Sequence, residues 1–113
     1  MTSTTVSTVE RIRALNDAFR RTFVGGMVLI TAGVEAMPVD QRRSLLAKVR
    51  AFETFTDDND PHGEHDFGAI DEGGVRCFWK IVYYDRATEM GSLDPADPAV
   101  TTRVLTVMRA DEY

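Results

Sequence analysis

Apolar and polar positions along the chain fall into helical stripes, short apolar runs and one long alternating segment. Val9, Ile12, Leu15, Phe19 and Phe23 recur at three- and four-residue steps, the spacing that lays one side of a helix on a core. Ahead of them, Ser7-Thr8-Val9-Glu10 has the Ser-x-x-Glu form of a capping box, so the Ser7 hydroxyl can satisfy a free amide near Glu10. Arg11, Arg13, Arg20 and Arg21 fall on the wet side of this stripe. Gly25-Gly26 ends the helix, because glycine accepts the left-handed backbone of many helix stops. Met27 to Ala32 reads as a short buried strand closed by Gly33. Pro38 suits a first helical turn, and Val39, Leu45, Leu46, Val49 and Phe52 form the second helical stripe.

The second half opens with a polar loop and becomes a hairpin. His65 to Ile70 is expected as a strand, Asp71-Glu72-Gly73-Gly74 as a turn, and Val75 to Tyr84 as a long strand. Strict alternation places Val75, Cys77, Trp79, Ile81 and Tyr83 on one face of that strand. Arg76, Phe78, Lys80, Val82 and Tyr84 take the other. Asp97 with Pro98 has the form of a capped helix start, and Val100, Val104, Val107 and Met108 supply a last helical stripe. The expected order is α-β-α-β-β-α. It corresponds to an α+β fold with a small three-stranded antiparallel sheet and three helices on one of its faces. Residues 1–8, rich in Ser and Thr, are expected as a disordered tail, and residues 9–113 as one domain.

Composition narrows the functional classes. The chain has 113 residues, 43% hydrophobic and 27% charged, enough for one core and too apolar for wholesale disorder. No apolar run approaches the ~20 residues that span a bilayer. Met1 to Glu10 has neither the basic start nor the apolar middle of a secretory signal. Cys77, the single cysteine, has no partner for an internal disulfide, which fits a reducing, cytoplasmic setting. Two histidines and one cysteine are too few for a self-contained structural zinc site.

Charge is divided unevenly. Residues 1–56 carry eight Arg and Lys against five acids, and residues 57–113 carry five against thirteen, so a net +3 faces a net −8. Between Asp57 and Glu72 lie seven acids and no Lys or Arg. Direct nucleic-acid binding is disfavoured by that balance, since phosphates call for clustered cations. A protein partner with a basic surface fits it better, as does a plain solubilising role for the acidic loop.

Only the loop Asp57-Asp58-Asn59-Asp60-Pro61-His62-Gly63-Glu64-His65-Asp66 invites chemistry. Its carboxylates and imidazoles are the donors a divalent ion takes. An EF-hand register starting at Asp58 fails, because Ala69 stands where the bidentate Glu belongs. His62-x-x-His65 has the spacing to grip zinc or nickel from a turn but lacks a convincing third ligand, so no metal and no cofactor is expected. A catalytic reading makes His62 or His65 a general base oriented by Asp60 or Asp66. The plainer reading has Asp and Asn side chains building turns, with Pro61 and Gly63 fixing the path. There is no nucleophile elbow, phosphate-cradling loop or nucleotide fingerprint. Cys77 sits among apolar neighbours and reads as core. Trp79, Tyr83 and Tyr84 read as core or as an aromatic patch for a partner.

The runs Asn59 to Gly68 (NDPHGEHDFG), Phe78 to Asp85 (FWKIVYYD), Ser92 to Pro98 (SLDPADP) and Arg11 to Asp17 (RIRALND) resemble a small family of uncharacterised bacterial proteins. The resemblance covers about residues 10–113. It implies a domain of unknown function carried on plasmids, integrative elements and phages, near replication, partition and anti-restriction genes. It therefore implies a counter-defence role, as an anti-CRISPR or anti-restriction inhibitor, and supplies no catalytic residue. Combined with the charge, the expectation is a non-enzymatic inhibitor whose acidic surface (Asp57, Asp58, Asp60, Glu64, Asp71 and Glu72) blocks the basic, nucleic-acid-binding site of a CRISPR effector or restriction complex. The alternative is a metal-dependent hydrolase or nuclease using His62, His65 and Asp66.

Overall fold

A computed structural model describes residues 6–113; residues 1–5, and with them most of the expected tail, lie outside the described residues. Ser7 begins the first helix as its spacing implies, its hydroxyl accepting the Glu10 amide at 3.1 Å, and α1 runs Thr8–Thr22. The stop is Phe23 rather than a glycine. Phe23 itself takes a left-handed φ of 58° and donates its amide to the Phe19 carbonyl at 2.7 Å. Strand β1 (Gly26–Ile30) follows, then a single-turn helix α2 (Ala32–Glu35) and α3 (Val39–Arg50), which starts just after Pro38. The hairpin is β2 (Phe67–Glu72) and β3 (Val75–Tyr84), joined by Gly73-Gly74 with φ of 56° and 84°. Positive φ at both central residues matches the twist of a two-residue hairpin turn. Last come β4 (Thr102–Arg109) and a 3₁₀ turn (Ala110–Glu112).

The fold is α+β, but the sheet is not the expected three-stranded antiparallel one. It has four strands in the order β1-β4-β3-β2, with β1 parallel to β4 and the other pairs antiparallel. The overturned element is the expected closing helix, which is β4. This strand lies between β1 and β3 and is buried on both faces. Leu105 and Val107 point to the helices and are wholly buried; Val104 and Met108 point the other way and are almost as buried. A strand covered on both sides loses the alternation that marks a half-buried one, so Val104, Val107 and Met108 imitate a helical step within it, while Val100 lies before the strand and is exposed. Asp97 and Pro98 form a turn, with an Asp97 carboxylate oxygen accepting the Ala99 amide at 2.9 Å.

The core lies between the helices and one face of the sheet. Phe19, Val34, Met37, Leu45 and Val49 meet Ile70, Cys77, Trp79, Ile81, Leu105 and Val107, so the alternation of β3 is the observed one. Trp79 is fully buried, and Gly68 opposite it on β2 leaves room for the indole. Among the described residues no helix is long and apolar enough to cross a membrane. Between α3 and β2 runs the loop of residues 51–66, laid against α1 and the end of β3.

Candidate functional site

Two polar clusters fasten that loop. In the first, the His65 ring lies flat on Phe55, with centroids 3.7 Å apart and planes 3° from parallel. Its Nδ1 sits 2.9 and 3.1 Å from the two Asp17 carboxylate oxygens, and its Nε2 is 3.6 Å from Asp60. Asp60 also accepts the His65 amide at 3.1 Å, bracing a residue whose φ of 55° is left-handed and strained for a non-glycine. Arg20 completes the cluster. It donates to Asp17 and to the Phe52 carbonyl, both at 2.9 Å, and its guanidinium lies over the rings of Phe55 and Trp79. Arg20 is wholly buried, not on the wet side with the exposed Arg11 and Arg21.

The second cluster centres on Asn16, also wholly buried. Its amide nitrogen donates to the Tyr83 hydroxyl at 2.7 Å and the Glu64 carbonyl at 3.0 Å, and its oxygen accepts Arg103 Nε at 2.8 Å. Tyr83 donates in turn to the Glu64 carboxylate at 2.6 Å. Burial, and then the Glu64 carboxylate, push the Tyr83 hydroxyl far above its usual range, so it stays a proton donor. Arg103 packs over the Tyr83 ring and bonds the Pro95 carbonyl; burial lowers its pKa. Asp66 is half-buried, and desolvation, with Glu64 nearby, raises its carboxyl above the ordinary range.

The six expected partner-binding carboxylates therefore separate. Asp57, Asp58 and Asp71 are exposed. Asp60 is held by His65, and Glu64 by Tyr83. Glu72 is buried against α3, accepting the Ser44 hydroxyl at 2.6 Å and facing Lys48 Nζ at 2.9 Å. Those two donors hold its carboxyl below the usual range. Of the outer three, Asp58 lines a shallow groove of about 560 Å³ floored by Phe52, Phe67 and Phe78. Asp71 pairs loosely, at 3.9 Å, with Arg76 on the same groove's wall.

His62 is exposed and His65 is committed to two carboxylates and a ring. Among the described residues no group of three or more His, Cys, Asp or Glu is arranged to hold a metal ion. Cys77 is core, and burial raises its thiol pKa. Trp79 is core too, Tyr83 serves the Asn16 cluster, and Tyr84 is half-buried on the face without helices. Local spacing does not reveal Asn16, Asp17, Arg20 and Arg103 as the loop's supports, since they come from distant segments. One signal was present: Asn16 and Arg20 stand one turn apart, beside Ile12 and Phe19, where the buried stripe has to widen.

Fold and site define a small α+β domain with a polar loop braced by α1 and the sheet. The chain belongs to the family described as protein of unknown function (DUF3768), which matches residues 30–112. The matched span begins at the last residue of β1, so α1 with its four loop-bracing side chains, Asn16, Asp17, Arg20 and Arg13, whose Nε donates to the Gly63 carbonyl at 2.6 Å, lies outside it. No curated protein and no solved structure matches the chain.

Proposed function

We propose that this protein is a non-enzymatic binding module, a counter-defence inhibitor from a mobile element that covers a basic, nucleic-acid-binding surface on a CRISPR effector or restriction complex. The observation that carries the reading is the division of labour in the loop. The groups with catalytic potential, His65, Asp60 and Glu64, spend their bonding capacity on the protein itself. Of the carboxylates left facing out, Asp57, Asp58 and Asp71, Asp58 lines an aromatic-floored groove and Asp71 pairs with Arg76 on its wall. Outward carboxylates beside an apolar floor suit an Arg- or Lys-bearing segment, whose stem packs on rings while its charge meets Asp58. The family resemblance of the loop and strand motifs supplies the counter-defence setting.

The test is inhibition of DNA binding by purified CRISPR effectors and restriction enzymes. The parent protein should inhibit at least one. The variant Asp57→Asn/Asp58→Asn/Asp71→Asn should inhibit less, with weaker salt dependence, while Arg21→Glu/Arg43→Glu on the helices should inhibit as the parent does. A triple variant as potent as the parent would sink the acidic surface; inhibition of none would sink the counter-defence role.

A further inference from the structure

We propose that the free edge of β1 is a self-association site, where two copies of this chain join their sheets by antiparallel β1–β1 pairing about a two-fold axis at Val28. Both outer strands of the sheet have a free side, and they are treated differently. The β2 edge is charged and covered: Gln41 donates to the Glu72 carbonyl at 3.0 Å and Lys48 to the Asp71 carbonyl at 3.3 Å, both from α3. Among the described residues β1 pairs with β4 alone. From Val24 to Ala32 it carries no charge and no proline, the usual devices that stop an edge from pairing.

Its side chains lack cover on both faces. Met27 and Leu29, on the face without helices, are 47% and 46% exposed. Val28 and Ile30, on the core face, are only half-buried, although their β4 neighbours Leu105 and Val107 are wholly buried. One more strand beside β1 would cover all four.

A second copy is the occupant that fits. The chain carries a net charge of −5, so two copies meet with least repulsion at an uncharged segment. The hydrogen-bonding phase also allows it. Thr31 donates to the Val107 carbonyl at 3.1 Å, so the odd-numbered amides of β1 turn toward β4 and those of Val28 and Ile30 turn outward. A two-fold at Val28 makes Val28 face its own copy and Gly26 face Ile30 as hydrogen-bonded pairs. Met27 then lies opposite Leu29 as a close, non-hydrogen-bonded pair, so every opposed pair is uncharged. A ribbon of five residues a side is small against the ~1,200–2,000 Å² of a standard stable interface, so the dimer should dissociate on dilution.

Sedimentation of the full chain over a concentration series tests this. The average mass should rise from 12.6 kDa toward twice that value. Leu29→Lys, with an unchanged circular-dichroism spectrum, should weaken association by roughly tenfold or more, a change of ~1.4 kcal/mol. Should that variant lose its fold, Met27→Cys/Leu29→Cys decides the matter. Under mild oxidation it should cross-link into dimers, because the opposed Cα atoms fall near the ~4.5 Å that a disulfide accepts, and Met27→Cys alone should not. A parent that stays monomeric into the hundreds of micromolar, a folded Leu29→Lys variant that associates undiminished, or equal cross-linking by the single-cysteine variant would each overturn the proposal.

Discussion

Trp79 and Gly68 show how tightly single residues are fitted here. The indole is wholly buried and makes edge contacts with Phe52 and Phe55, and the Arg20 guanidinium lies over it at 5.2 Å. A Cβ on Gly68 would collide with the indole nitrogen and stand 2.8 Å from the Phe52 ring. Two opposite insults should therefore both be felt. Trp79→Ala should cost ~3–5 kcal/mol by opening a cavity, and Gly68→Ala ~1–3 kcal/mol by overfilling the same space. Urea unfolding of both variants measures this, and a Gly68→Ala protein as stable as the parent would show that the indole has room to move. The burial of Trp79 was legible from strand alternation. That of Asn16 and Arg20 was not. A polar residue on a core-facing stripe looks like an interruption until its partners are known, and here those partners, Tyr83, Arg103 and Phe52, are 32 to 87 residues away.

At the scale of elements, two carboxylates act as ties. Glu72 joins β2 to α3 through Ser44 and Lys48. Glu112 joins the closing 3₁₀ turn to the start of α2, accepting the Thr31 hydroxyl at 2.6 Å and the Gly33 and Arg109 amides at 2.9 Å. The hydrogen bonds hold both carboxyls below the ordinary range. Stability from a depressed carboxyl is complete above its unfolded pKa and is lost as pH falls through the folded one. Asp66 has the opposite sign: raised by burial, it weakens the fold as pH rises from its unfolded value through its folded one. Glu72→Gln should therefore flatten the fall in melting temperature below about pH 4.5, whereas Asp66→Asn should raise the melting temperature at pH 7 and leave the acid limb in place. Melting scans between pH 3 and pH 7 separate the two, and a Glu72→Gln protein with the parent's acid limb would remove the Ser44–Lys48 tie from the account. The capped first helix, the hairpin and the α3 stripe were readable because each is encoded within a dozen residues. β4 and α2 were not. Val and Thr in β4 satisfy two periods at once, and only its position between two strands selects one; α2 is a single turn with no stripe to show.

Across the whole molecule, sequence charge located an acidic segment but not its division between exterior and interior. Composition counts Asp60, Glu64 and Glu72 alongside Asp57, Asp58 and Asp71, whereas folding turns the first three inward onto partners from other elements. The placement of β4 also governs the order of events in time. Gly26 pairs with Arg103, 77 residues further on, so the strand that separates β1 from β3 is the last one made. At ~5–20 residues per second of synthesis, β1 waits about 4–15 s for its neighbour, and contacts so distant along the chain favour slow folding, in the ms–s range. Until its own β4 docks, β1 can take the β4 of a nearby chain instead, the more so the more concentrated the chains. Refolding from urea at about 100 µM should thus yield a fraction of strand-exchanged dimers that persist on dilution, and refolding at about 1 µM should not. Size-exclusion profiles of the two samples, brought to one concentration, would read this history; identical profiles would mean that β4 finds its own sheet before any neighbour arrives.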